Sequence, residues 1–288
     1  LKTHWLAVTA LFLVATAWGA TFTLVKSALA RIAPEPFIVF RFLLAGAILL
    51  LFAFALRQLP RAAIAPGAIL GLVLFGAYWC QTRGLLTISP SRSAFLTGLY
   101  VVFVPFADRL LYSTRIPFAA WIGSALALFG TTLLIGGFDA RPTIGDLLTI
   151  GCAVCSALHV VLSAKVSVDK PALGLAAVQV IVVGLAAAPV SVLAPRVTWS
   201  REVAFAIAFT AIVTTALAFV ALMWGQARVT ATEAAVILAF EPVAASVTSI
   251  VFGREPVTAM FLTGAALILM AIVLSQLPES PRRDPLAR

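Results

Sequence analysis

Apolar residues in this chain neither alternate nor recur on a single helical face. They run in blocks of about 20, separated by short gaps that hold the charges and most of the prolines. At 1.5 Å per helical residue, a block of about 20 crosses a hydrocarbon core about 30 Å thick. The pattern predicts ten transmembrane helices near 5–29, 36–56, 63–86, 92–111, 117–136, 144–165, 172–193, 202–226, 231–251 and 257–276. Pro34, Pro36, Pro60, Pro90, Pro117, Pro142, Pro171, Pro195 and Pro256 fall between or at the ends of these blocks, where a missing N–H costs least. Lipid leaves strands no way to satisfy their backbone outside a closed barrel, so the expected fold class is an all-α integral membrane protein. Short connections make consecutive helices antiparallel and leave no room for a soluble domain.

Composition agrees. The chain is 62% hydrophobic and 11% charged, against about 45–50% and about 25% in soluble domains. The net charge of +9 is scattered over the connections and forms no stripe suited to nucleic acid. With the N-terminus inside, 11 of the 20 Lys and Arg residues fall on the cytoplasmic side and nine on the other, a bias too small to orient the chain. An even number of spans puts both ends on one side, and the basic segment 278–288 favours the cytoplasm and anionic lipid. Cys80, Cys152 and Cys155 lie inside apolar blocks and imply no disulfide framework.

The two halves repeat. Ala94, Gly123, Ala125, Leu126, Leu128 and Leu133 match Ala235, Gly264, Ala266, Leu267, Leu269 and Leu274, each pair 141 positions apart. Five helices per half is an odd number, so the second repeat must sit upside down relative to the first. Inverted repeats mark secondary transporters with a site near the midplane. The expected division is a first repeat over 1–140, a second over 141–277 and a tail over 278–288.

Several segments resemble the drug/metabolite transporter superfamily, in its ten-helix EamA-type branch. They are Ala17-Trp18-Gly19-Ala20-Thr21-Phe22, Phe40-Arg41-Phe42-Leu43-Leu44-Ala45, Ser93-Ala94-Phe95-Leu96-Thr97-Gly98-Leu99-Tyr100, Gly145-Asp146-Leu147-Leu148, Glu241-Pro242-Val243 and Gly253-Arg254-Glu255-Pro256. The resemblance spans essentially the whole chain. It implies two inverted five-helix repeats and export of amino acids or similar metabolites from a bacterial cytoplasm across the inner membrane. It also implies a central cavity lined by helices one, three, four, six, eight and nine, and the aromatic and neutral amino acid exporters are the branch it suggests. One departure stands out: opposite Glu241-Pro242 the first half has Tyr100-Val101, with proline only at Pro105, so symmetric proline breaks are not expected.

Candidate site residues follow from polarity at depth. Glu241, inside helix nine, costs at least about 2.5–3.5 kcal/mol if ionised in lipid, and is read as a protonatable or amine-binding group. His159 shares a helix face with Cys152 and Cys155. Three ligands on one helix cannot readily close a tetrahedral site, so His159 is read as a cavity polar group, without metal or other cofactor. Trp18, Tyr78, Trp79, Tyr100 and Trp224 lie deep in the cavity helices and suit an apolar or aromatic substrate, whereas Trp5, Trp121 and Trp199 sit at span ends as an interfacial belt. Arg41 and Lys26 lie near helix ends and are expected to snorkel to the interface as anchors. Gly67, Gly71, Gly123 and Gly264 read as close-packing surfaces.

A transporter fits these features best. A membrane-embedded enzyme would need a convergent nucleophile, base or metal set, and a channel would need charged rings or carbonyl loops. The sequence has no G-x-x-x-x-G-K loop for ATP, so energy must come from a gradient of the substrate or of a coupled proton. One chain carries both repeats, so a monomer suffices, with lipid and a small-molecule substrate as its partners.

Overall fold

The computed structural model describes residues 2–134, 143–194, 197–252 and 257–275. The expected junction at 140/141, the Gly253–Pro256 motif and the tail 278–288 lie outside them. Among the described residues there are helices and no strands. The helices are α1 (Lys2–Ala28), α2 (Pro34–Ala55), α3 (Ile64–Gly84), α4 (Pro90–Gly98), α5 (Tyr100–Tyr112), α6 (Phe118–Leu134), α7 (Ile144–Val166), α8 (Ala172–Ser191), α9 (Arg201–Ala211), α10 (Ala218–Gln226), α11 (Ala231–Leu238), α12 (Glu241–Val251) and α13 (Ala259–Ser275). These make ten spans: α4 and α5 form the fourth, α9 and α10 the eighth around a π-helical turn at Ile212–Leu217, and α11 and α12 the ninth. Eight spans are long and apolar enough to cross a membrane, and the fifth and tenth contain shorter apolar helices.

Local chemistry sets the helix starts. Pro34 and Pro90 occupy first-turn positions of α2 and α4, and the Ser89 hydroxyl accepts from Arg92 N. Capping boxes open α7, between Thr143 and Asp146, and α11, between Thr230 and Glu233. Polarity is inverted relative to a soluble protein. Leu110, Phe118, Val192 and Leu193 are largely exposed, while Glu35, Arg41, Asp146, His159, Gln179, Gln226 and Glu241 are buried.

The packing repeats when the halves are exchanged. α2 lies along α8 and α6 along α13, each a span against its own counterpart. The pairing of α3 with α7 is matched by α1 with the span of α9 and α10. That of α1 with α11 and α12 is matched by α7 with α4 and α5. Small residues allow the closest approaches. A Cβ on Gly84 would meet Thr149 and the Gly145 carbonyl of α7, while one on Gly225, 141 positions later, would meet Leu11 and the Ala7 carbonyl of α1. The expected packing glycines behave likewise: Gly67 and Gly71 abut Val178 and Val182 of α8, and Gly123 faces α13.

One ion pair has a counterpart in the other half, with its acidic and basic members exchanged between the spans. Arg92 Nε donates to Asp146 Oδ1 at 2.5 Å, joining the starts of α4 and α7. Glu233, the counterpart of Arg92, pairs with His4 at 3.3 Å, joining the starts of α11 and α1.

Breaks in the fourth and ninth spans occupy matching places, although, as the sequence pattern leads one to expect, proline marks only the ninth. The first helix of each pair ends at Gly98 and Leu238, 140 apart, and the second begins at Tyr100 and Glu241, 141 apart. The break in the fourth span therefore forms without proline. The two breaks meet, for a Cβ on Gly98 would lie 3.5 Å from Pro242 Cγ.

Candidate functional site

A cavity opens inside the bundle, lined from α1, α2, α3, α4, α5, α7, α10, α11 and α12. Every span expected from the resemblance contributes, and the second span is added through Arg41. The lining runs from Trp18, Tyr78, His159 and Phe219 toward Val25, Thr82, Leu85 and Cys152, where α1 and α3 finish and α7 begins. In the opposite direction the bundle is filled: Leu11, Val14, Met223, Val236 and Ile237 are all buried in one continuous apolar core.

Five of the seven expected site residues, Trp18, Tyr78, Tyr100, His159 and Glu241, line this cavity. Trp79 and Trp224 do not. Trp79 is half-buried on another face of α3, with the Arg83 guanidinium 5.7 Å from its ring, and Trp224 stacks at 4.1 Å under Arg228 in the last turn of α10. The His159 face also divides. Cys152 lines the cavity, while Cys155 turns toward α3, where its Sγ lies 3.2 Å from the Cβ position of Gly76. Among the described residues no group of three or more His, Cys, Asp or Glu could hold a metal ion. His159 Nε2 instead donates to Gln179 Oε1 at 2.7 Å, which fixes the ring against α8.

Arg41 overturns its expected role. It begins two turns inside α2 and is 6% exposed, with its guanidinium in the cavity wall and not at the interface. Nε donates to Thr215 Oγ1 at 2.8 Å, and Nη2 to Thr214 Oγ1 at 3.2 Å, the Thr214 carbonyl at 3.4 Å and the Tyr78 hydroxyl at 3.5 Å. The π-helical turn makes this possible. Its wider winding breaks the regular ladder of the eighth span and presents two consecutive threonines to one guanidinium. The Thr214 carbonyl also accepts from Trp18 Nε1 at 2.8 Å, tying α1 to the same turn. The ring of Tyr78 lies 4.9 Å from the Arg41 guanidinium carbon and packs edge-on to Phe42.

Lys26 is likewise no free anchor. Its ammonium donates to the carbonyls of Leu85, Leu86 and Ile88, capping the C-terminal end of α3 beside the mouth of the cavity. Glu35 and Arg83 pair nearby at 2.5 Å. A lysine or arginine one or two turns from a helix end reads the same from sequence whether it turns outward or inward.

Glu241 is the first residue of α12 and is 6% exposed. Among the described residues no cation or hydrogen-bond donor reaches its carboxylate. Tyr100 mirrors it as the first residue of α5, and its buried hydroxyl has no partner among the described residues. The cavity thus joins an arginine held only by neutral groups, an unpaired carboxylate, a free phenol and an aromatic wall.

The profile of the EamA-like transporter family matches residues 5–136 and 143–277. An uncharacterized transporter of Archaeoglobus fulgidus is 31% identical over 271 residues, covering 93% of this chain and 84% of the relative. The uncharacterized transporter YyaM of Bacillus subtilis is 27% identical over 277 residues, covering 88% of each. A solved structure, described only as the crystal structure of a protein, superposes with a TM-score of 0.79 at 21% identity, covering 94% of this chain and 96% of that one. At that identity the likeness speaks to the fold alone. With the family profile spanning both halves of an all-helical bundle built around one internal cavity, the chain belongs to the EamA-like transporter family and is a multi-pass membrane transporter.

Proposed function

We propose that this transporter exports amino acids or similar small metabolites across a bacterial inner membrane by alternating access between two inverted repeats, 1–140 and 141–277. The observation that carries this reading is the cavity. It holds paired sets of polar and aromatic groups from both halves, extends toward one end of the bundle and is closed by packed apolar residues toward the other. Because the contacts are nearly symmetric under exchange of the halves, the conformation open to the other end uses the same packing with the roles reversed. Opening one side and filling the other is then a change between two packings of similar energy.

Glu241 is the group through which a proton would be coupled. It occupies the cavity without a counter-charge, so a substrate ammonium and a proton compete for the same carboxylate. A monomer suffices, with both termini on the cytoplasmic side. The test is counterflow of labelled amino acids in liposomes containing the purified chain, with and without an imposed pH gradient. The expected result is saturable, stereoselective flux that follows the gradient and loses this dependence in Glu241→Gln. Folded protein that moves no amino acid would sink the reading, and gradient-driven flux unaltered in Glu241→Gln would remove Glu241 from the coupling.

A further inference from the structure

The two buried charges restrict what the cavity can hold. Resting on the carrier reading above, we infer that Arg41 is the anion-binding residue of the site and Glu241 its cation-binding counterpart, so that a substrate must carry both a carboxylate and an ammonium group.

Arg41 is more than nine-tenths buried, lines the cavity, and hydrogen-bonds only to neutral partners. Those bonds use Nε and Nη2. No described acceptor engages Nη1, and no carboxylate among the described residues comes within ion-pair distance. A guanidinium carries five N–H donors in a planar fork suited to bidentate carboxylate binding. A buried cation without an anion is an unstable arrangement that a bound carboxylate completes. Glu241 presents the opposite problem in the same cavity, whose wall also carries Tyr78, the hydroxyl acceptor of an Arg41 Nη2 hydrogen bond. The threonines of the π-helical turn hold one edge of the guanidinium and leave the other for the ligand.

Single-charge molecules fail for a physical reason. An amine satisfies Glu241 and leaves Arg41 bare, and an acid does the reverse. A zwitterion satisfies both, and its side chain then meets Trp18, Phe22, Leu74 and Phe219. Sites built to bond a group reject analogues lacking it by large factors, because their own buried polar atoms go unpaired.

The probes are phenylalanine, phenethylamine and 3-phenylpropionate, with leucine, isoamylamine and 4-methylpentanoate as a second set. Binding is read from tryptophan fluorescence of the purified full-length chain and transport from counterflow in liposomes. In the wild type each amino acid is expected to bind at least about a hundredfold more tightly than its amine or acid. Arg41→Gln should weaken phenylalanine about ten- to hundredfold and bring phenylalanine and phenethylamine within about threefold of each other. Glu241→Gln should do the same for 3-phenylpropionate, and Arg41→Lys should restore part of the discrimination. Gel filtration confirms that each variant is folded. If Arg41→Gln does not fold, wild-type discrimination and Arg41→Lys carry the test. Wild-type protein that takes amine or acid as well as amino acid overturns the dipolar site while leaving the carrier intact. So does a folded Arg41→Gln with unchanged ratios. Protein that binds and moves none of the six probes overturns the amino-acid reading and this inference together.

Discussion

Gly19 is where α1 bears on the start of α12, and replacing it with alanine tests how tightly the site is built. A Cβ there would lie 2.2 Å from the Glu241 carbonyl oxygen, 2.8 Å from Ala244 Cβ and 2.9 Å from Ala245 N. Ordinary contact begins at 3.4 Å, so α1 and α12 must part by about 1.2 Å. Two of the three obstacles are backbone atoms, which cannot rotate away. Overpacking of this kind costs about 1–3 kcal/mol, partly offset by the roughly 1 kcal/mol by which alanine is favoured over glycine within a helix. A net loss of up to about 2 kcal/mol is expected. The displacement also moves the first turn of α12, and with it the Glu241 carboxylate. Gly98→Ala is the control, since its Cβ would meet Pro242 and Thr131 at 3.5 and 3.7 Å and requires no movement. The assay is thermal unfolding of both purified variants followed by gel filtration, together with counterflow. Gly19→Ala should unfold at lower temperature and transport more slowly, and Gly98→Ala should be at least as stable as the parent. Equal stability of the two variants would refute the close approach of α1 to α12.

Arg83→Ala leaves Glu35 buried without its partner and should cost about 1–3 kcal/mol; adding Glu35→Leu should recover most of the loss, and thermal unfolding of the single and double variants checks both. Trp18→Phe keeps an aromatic ring in the cavity but removes the donor to the Thr214 carbonyl. Its expected effect is a loss of about 0.5–1.5 kcal/mol in stability with weakened substrate affinity, read by unfolding and by KM. Thr143→Val removes the hydroxyl that caps α7 beside Asp146 and should destabilise by about 1 kcal/mol, whereas Thr132→Val, which loses a bond only within its own helix, should be nearly neutral in the same assay.

Spans were legible in this sequence because a length of about 20 apolar residues is fixed by the bilayer. Direction around each helix was not. A soluble helix separates its faces by polarity, but here lipid and protein interior are both apolar, and the amphipathic signal fades. Trp79 was therefore grouped with Tyr78 by depth, although adjacent residues point about 100° apart and only Tyr78 reaches the cavity. The same blindness applies to Arg41, whose distance from the start of α2 allows an interfacial position from sequence, whereas its partners Thr214 and Thr215 lie on another span. Glu241 was legible because a carboxylate within a span has few structural uses. The break at Leu99 was not, since no proline marks it.

The contact between the broken fourth and ninth spans has a mechanical consequence. Under the alternating access proposed above, each half-helix would be an arm about one shared point, and the 13 residues of α5 would make an arm roughly 20 Å long at about 1.5 Å per residue. A tilt of about 10° at the pivot then sweeps the far end through roughly 3 Å, about the width of a side-chain contact. Tyr100 and Glu241, at the inner ends of two such arms, would move little while the rims moved most. A ligand held there would work near the fulcrum, where a small displacement of two residues is geared up into a large one at the rim.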